Sequence, residues 1–323
     1  MRIAVTGAGG RLGGALMAAL EESPYTGPFG PIGWGRADLD LDHPGAVGRT
    51  IDDARAELVV HVAAWTDAAG CARDPVLAER RNALATGRIA EACAVRGVDL
   101  VVVSCGEVFD GRRTDGRGYG PTGPTDPAGA LGAYGASKLA GERAALAAWG
   151  AQAGAVGHLG IVRSGWLFGS PGNDLPSTIL DAADHALADG IPLRLEAGPT
   201  GSPTSCADLA EGIAELIGSG DVTGVHHMVN AGVASRLGFA RELLRMAGLR
   251  ASIEEVQAAP EQPTWLVLEP TGMPSGEPMR TWQEALADYL PRLIRSRSAS
   301  SRSASSRSAS SRSASSRSGR PPR

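Results

Sequence analysis

The sequence predicts an α/β protein, a doubly wound parallel sheet joined to a smaller C-terminal α/β lobe. One observation is a strand, a glycine-rich loop and a helix in immediate succession at the N-terminus. Another is a series of apolar runs alternating with Ala-rich segments of helical period. The third is a composition of 43% hydrophobic but only 4% aromatic residues in 323, which suffices for a large core and argues against an aromatic-rich β-sandwich. At roughly 100 to 200 residues per domain, this length fits one large α/β domain or two intimately joined ones.

In chain order, residues 2–6 (RIAVT) form a short apolar run, Gly7 to Gly13 a tight loop, and LGGALMAALEE a helix whose apolar residues recur at helical spacing. Further runs at 58–62, 99–103 and 159–163 read as strands, with helices at 75–95 and 135–149 between them. Strands that are apolar on both faces imply a parallel sheet covered by helices on both sides. Pro and Gly then interrupt 170–204, and helices near 206–217, 236–247 and 281–294 imply the second lobe. The expected division is 1–168 for dinucleotide binding and 169–294 mainly for substrate, with segments free to interleave. Residues 295–323 are expected to be a disordered tail. Its S-R-S-A-S repeats hold no apolar side chain larger than Ala before the final prolines, so burial cannot offset the entropy of ordering them.

The tail carries eight arginines and no acid, so a net charge of −4 overall leaves the first 294 residues at −12. An acidic body gives no electrostatic reason to expect nucleic acid on its main surface. The tail reads as a solvated appendage, with RNA, an anionic surface or a kinase as the sharper alternatives. Cys71, Cys93, Cys105 and Cys206 lack C-x-x-C spacing, and the histidines lack metal-ligand spacing, so neither a metal site nor a disulfide framework is expected. Without a signal-like start or an apolar stretch near the roughly 20 residues of a membrane span, the reading is a soluble cytoplasmic protein with no membrane partner. The sequence leaves a homodimer open.

The chemistry begins in the glycine loop. Gly7 permits the tight turn, Gly10 lets the backbone approach a pyrophosphate, and Gly13 lets the helix pack closely, while the helix N-terminus offers N–H groups to the anion. This is the Rossmann-type arrangement for NADH or NADPH. The choice between them stays open, because Arg36 suits a 2′-phosphate whereas Asp38 or Asp40 suits a ribose or the adenine edge.

Downstream, Tyr134-Gly135-Ala136-Ser137-Lys138 places a phenol and an ammonium at i and i+4 on a helix, facing one cleft. The Lys charge is expected to pull the phenol down from about 10 towards neutrality, suiting proton donation to a carbonyl oxygen. Lys138 is the only lysine among 31 basic residues, which points to a position that needs a compact ammonium rather than a guanidinium.

These residues resemble the extended short-chain dehydrogenase/reductases, and in detail the dTDP-4-dehydrorhamnose reductase family. The likeness runs through Ala63-Ala64-Trp65-Thr66, Asn82, SCGEVFDG from Ser104, Y-G-x-S-K-L-A-G-E from Tyr134 and Arg163 to Gly169. It continues through Gly201 to Thr204, Asp208 to Ala210, Gly224 to His227 and Trp282, covering about residues 1–292. The resemblance implies hydride reduction of the C4 ketone of a nucleotide-linked 6-deoxy-4-keto sugar. By it Tyr134 is the proton donor, Lys138 holds the cofactor ribose, and a hydroxyl at the end of the fourth strand orients the ketone. Gly10, Arg11 and Leu12 would line the pyrophosphate, Asp40 and Leu41 the adenosine, Ala63, Ala64 and Trp65 the middle of the cofactor, and Trp166 the sugar.

The departures bear on substrate. Where the family reads S-T-D-Y-V-F, this chain has Ser104-Cys105-Gly106-Glu107-Val108-Phe109, so Cys105 and Gly106 stand at the ketone-orienting positions. A thiol is a weak donor, and Ser104 is expected to face away, as strand neighbours do. A nucleophilic Cys105 would need an activating neighbour, and no His lies nearby in sequence. The family's R-P-x-x-S-x-L-D appears as Gln262 to Glu269 without its Arg, Ser or Asp, and the long Gly/Pro-rich loop from Arg112 to Ala133 lacks the acid that the family leads one to expect before the catalytic Tyr. These losses motivate an alternative, an impaired sugar-nucleotide and NAD(P)-binding regulatory module resembling the methionine adenosyltransferase beta subunit.

Overall fold

The structure is a computed structural model, described here for backbone residues 1–122, 132–152, 156–169, 174–257 and 263–315, with side chains as far as Ser298. The chain opens as β1 (Ile3–Thr6), α1 (Arg11–Glu22), β2 (Ile32–Trp34), α2 (Val47–Ala54) and β3 (Leu58–His61). Two short helices follow, α3 (Ala68–Arg73) and α4 (Pro75–Ala78), and then a π-helical stretch over Glu79–Leu84 that runs into α5 (Ala85–Arg96). Strand β4 (Asp99–Cys105), helix α6 (Gly132–Gly150) and strand β5 (Leu159–Ser164) complete the regular alternation. Every residue of β1, β3 and β5 is buried, as expected of strands covered on both faces.

The second half begins with β6 (Leu167–Phe168), α7 (Leu175–Asp189), β7 (Leu193–Glu196), β8 (Thr200–Gly201), β9 (Thr204–Ser205) and α8 (Cys206–Gly218). It continues through β10 (Gly224–His227), β11 (Ala234–Ser235), α9 (Arg236–Met246), β12 (Ile253–Val256), β13 (Trp265–Leu266) and α10 (Trp282–Ser315). The main sheet has the order β2-β1-β3-β4-β5-β10, parallel throughout. Strand β10, from the C-terminal half, therefore pairs with β5 in the N-terminal sheet, and α8 packs on α1 on one face of it. Helices α2, α5 and α6 cover the other face. The segment beyond 169 thus contributes to both lobes. The smaller lobe gathers α7, α9, the start of α10 and the β7–β12 pair around Phe168, Phe239 and Leu286.

Strand order reverses between β1 and β3, which opens a crevice at the C-terminal ends of those strands. Gly13 fits there only without a side chain, since a Cβ would stand 2.1 Å from the Gly7 carbonyl oxygen. The glycine locks the helix onto the loop itself.

Helix α10 continues through the Arg/Ser repeats to Ser315, and residues 316–323 lie outside the described residues. Ala and Arg are good helix formers, and an anchor is present: Arg297 pairs with Asp181 and, at 2.6 Å, with Asp184 on α7. Among the described residues no helix is long and apolar enough to cross a membrane.

Candidate functional site

A cleft of about 1030 Å³ runs from the glycine loop, across the ends of β1, β3 and β4, to the junction with the smaller lobe. Gly7, Gly10, Arg11, Leu12, Gly13, Asp40, Leu41, Ala63, Ala64, Trp65, Cys105, Tyr134, Lys138 and Trp166 all line it. Gly106 does not; it is buried one step behind, where a Cβ would meet Leu268 at 3.4 Å.

At one end, Gly10 opens α1 with no side-chain cap and no acid in the first turn, an arrangement that favours an anion. Beside it, Arg36 lines the cleft while Asp38 turns back to accept the Gly35 N–H at 2.8 Å. Asp40 is occupied by His43 at 3.0 Å and by the Asp42 N–H. Asp42 takes both arms of Arg81, at 2.8 and 2.6 Å, which holds its carboxyl down at about 2. The Arg81 guanidinium in turn lies 5.3 Å over the Trp65 ring. Neither Asp42 nor Arg81 carries a motif that would single it out in the sequence.

Asn82, in the π-helical stretch, ties the loop after β3 to α6, the helix of Tyr134 and Lys138. Its carbonyl oxygen accepts the Trp65 N–H at 2.7 Å, and its amide donates to the Trp65 carbonyl and to Ser137 Oγ. Ser137 passes its own hydrogen to the Tyr134 carbonyl at 2.8 Å.

Tyr134 and Lys138 do share the cleft, but their electrostatics differ from the expectation. Lys138 is buried and its Nζ donates to the Val103 carbonyl at 2.8 Å; burial holds its pKa below the usual lysine range, against the opposing pull of Cys105 and Glu142. The Tyr134 phenol is not drawn towards neutrality. Burial first, then Cys105 and Glu107, push it well above its ordinary value, and the phenol donates to the Cys105 sulfur. Desolvation outweighs any help from the ammonium.

Cys105 ends β4 in extended conformation. Burial, with Glu107 adding to it, pushes its thiol up to about 12, so the group is a neutral thiol and not an activated nucleophile. Ser104 is also among the residues bordering the cleft, and its hydroxyl is buried and without a hydrogen-bond partner among the described residues. Glu107 and Arg236 line the same end, and the sequence reading passed over both as site residues. Trp166 is set edge-on to Phe239 at 5.1 Å, at the seam between the lobes.

The segment 263–269 turns away from the cleft. Trp265 Nε1 donates to the Arg117 carbonyl at 2.7 Å, and Leu268 bridges to Tyr119. Gln262, and residues 123–131 of the loop before Tyr134, lie outside the described residues. His227 is buried edge-on to Phe109, whereas His226 is half-exposed.

The RmlD substrate binding domain family matches residues 1–295. A dTDP-4-dehydrorhamnose reductase of Mycobacterium tuberculosis is 33% identical over 310 residues, spanning 92% of this chain and 95% of its own. A protein of Streptomyces antibioticus described as a probable dTDP-4,6-dihydroxy-2-methyloxan-3-one 4-ketoreductase is 29% identical over 91% of this chain and 96% of its own. The crystal structure of dTDP-4-dehydrorhamnose reductase from Bacillus anthracis in complex with NADP matches with a TM-score of 0.76 and 27% identity, covering 90% of this chain and 98% of that one.

Proposed function

Because the chain belongs to the RmlD substrate binding domain family, we propose that it reduces the C4 ketone of a nucleotide-linked 6-deoxy-4-keto sugar with NADPH, Tyr134 being the proton donor. The observation that carries this reading is the convergence of the glycine loop, Tyr134 and Lys138 on one cleft.

The residues present fit the cofactor. The uncapped start of α1 suits the pyrophosphate, and Arg36, with Asp38 turned aside, suits a 2′-phosphate. Bound NADPH supplies the hydride that C4 receives. Lys138, held by the Val103 carbonyl, offers its remaining hydrogens to the nicotinamide ribose. Tyr134 stays protonated at neutral pH because its pKa is raised, so a proton is in place for the ketone oxygen as negative charge develops there. Trp166 would flank the sugar at the lobe seam.

The test follows NADPH oxidation with dTDP-4-dehydro-6-deoxy-L-mannose generated in situ. Tyr134→Phe should lower kcat by about 10²- to 10⁴-fold, the usual worth of a positioned acid, while NADPH affinity stays within a few-fold. Cofactor binding with no turnover in the unaltered protein would overturn the reductase and favour a regulatory binding module, for which the thiol at position 105 is the motive.

A further inference from the structure

Glu107 stands where the cleft meets the reacting end of the site and has no task in the mechanism above. The 3-10 turn Gly106–Val108 carries it off the end of β4 into the space lined by Cys105, Tyr134 and Lys138. Its backbone is clamped, because α6 approaches so closely that a Cβ on Gly135 would lie 2.1 Å from the Glu107 carbonyl oxygen. The position of Glu107 is therefore set relative to Tyr134, the neighbour of that glycine. Its N–H bonds to the Cys105 sulfur, and its charge is felt by Tyr134, Cys105 and Cys71.

The carboxyl oxygens make no hydrogen bond or ion pair among the described residues, unlike Asp42, Glu142, Asp174 and Asp208, each held by named partners. A carboxyl that lines the cleft with no protein partner is left for whatever the cleft binds. Cys105 next to it, at the ketone-orienting position, offers only a weak thiol donor.

We propose that Glu107 is a second hydrogen-bond donor to the reacting ketone oxygen, its carboxyl O–H taking the orienting role that Cys105 fills poorly. This rests on the reductase reading above. No bond to Glu107 is made or broken. The hydride goes to C4, the proton that ends on the new hydroxyl comes from Tyr134, and the Glu107 O–H bond only strengthens its hydrogen bond as charge grows on the oxygen. The groups whose charge couples to the carboxyl are Cys105 from β4, Tyr134 from α6, Cys71 from α3 and Arg236 from α9, and Lys138 from α6 lines the same cleft. Burial holds Glu107 above the usual carboxylate range against the pull of Arg236, so the acid form is within reach. Activity must then fall as pH rises through that raised pKa.

The experiment measures kcat/KM against pH for the NADPH-loaded enzyme and for Glu107→Gln and Glu107→Ala. The Gln amide keeps a donor at every pH, so its profile should lose the falling limb while the rate at low pH stays within about tenfold. The Ala variant should be slower by about 10²- to 10³-fold, the usual cost of one oxyanion donor. A wild-type profile and rate in both variants overturns the role of Glu107 and leaves the reductase standing. Absence of ketone reduction by the unaltered enzyme overturns both, and shows before any variant is made. Should Glu107→Ala fail to fold, a protonated-carboxyl infrared band on sugar-nucleotide binding, missing in Glu107→Gln, serves instead; its absence from wild type counts against the proposal.

Discussion

Tyr134 and His61 show how burial overrides what spacing implies about charge. Four residues separate the phenol from the only lysine, and the sequence reading let the ammonium act on the phenol through that proximity. In the fold the Lys138 ammonium is spent on the Val103 carbonyl, and desolvation pushes phenol and ammonium away from their charged forms. Glu107 is not legible in the sequence for a related reason: the run from Ser104 stands out for the Thr and Asp it lacks, and nothing local says that the residue after Gly106 turns into the cleft. His61 is buried between Thr6 Oγ1 at 2.8 Å and Thr86 Oγ1 at 3.1 Å, and burial, helped by Lys138, drops its pKa to about 3; burial also drops His227 to about 4. Both rings stay neutral when folded and take up protons on unfolding below about 6.5. The unfolded state therefore binds more protons between about pH 6.5 and those lowered values, so stability falls as pH falls through that window. Urea midpoints should be level above pH 7 and drop between pH 6.5 and 4, on the order of 3 kcal/mol per histidine at 1.36 kcal/mol per unit. His61→Gln should flatten part of that slope, and an unchanged slope would remove His61 from the account.

At the scale of elements, the helices and strands that the sequence shows well are those whose periodicity is complete. Strands β1, β3, β4 and β5 and helices α1, α6, α8 and α9 fall where apolar spacing places them. Strand β2 is three residues between glycines and prolines, too short for any alternation to register. Helix α7 was missed although its signals are present: Asp174 caps it, Pro176 sits in its first turn, and Gly190 ends it in the left-handed region at φ 67°. The Pro/Gly-rich surroundings masked them. Element contacts also set the tolerance of the glycine loop. With a Cβ 2.1 Å from the Gly7 oxygen, Gly13→Ala must pry α1 off the loop, at about 1–3 kcal/mol for overpacking. Thermal melting should show that loss, and NADPH affinity should fall along with it, because the shifted backbone is the one offered to the pyrophosphate. Gly9→Ala, where no protein atom lies within 4 Å, is the matched control for stability and should leave the melting temperature unchanged.

Across the whole molecule, the two lobes are joined by more than one crossing of the chain. Strand β10 returns from the C-terminal half to pair with β5, a long-range pairing that no local pattern encodes. It brings His227 beside a buried ion pair: Arg163 on β5 meets Glu142 on α6 at 2.9 and 2.6 Å, with side chains 6% and 3% exposed. Arg163 also donates to the Pro121 carbonyl and lies over Phe109, so one guanidinium ties sheet, α6 and loop together. Removing one partner strands the other charge, and Glu142→Gln should cost about 3–5 kcal/mol, read as a shift in the urea midpoint. Glu91→Gln, in an exposed pair with Arg88, should cost under about 1 kcal/mol. Equal losses in the two would mean that burial does not govern these ion pairs.

The solitary lysine also gives the enzyme a built-in proteolytic gauge. A protease that cuts only after lysine has one target in all 323 residues, the Lys138–Leu139 bond, and that bond lies in the buried face of α6, against the sheet. The native chain should resist such a protease until α6 opens, and then break once, into fragments of 138 and 185 residues. When reclosing outpaces cutting, the cleavage rate measures the free energy of exposing the site itself, and ligands that hold the cleft shut will slow it in proportion to how tightly they do so.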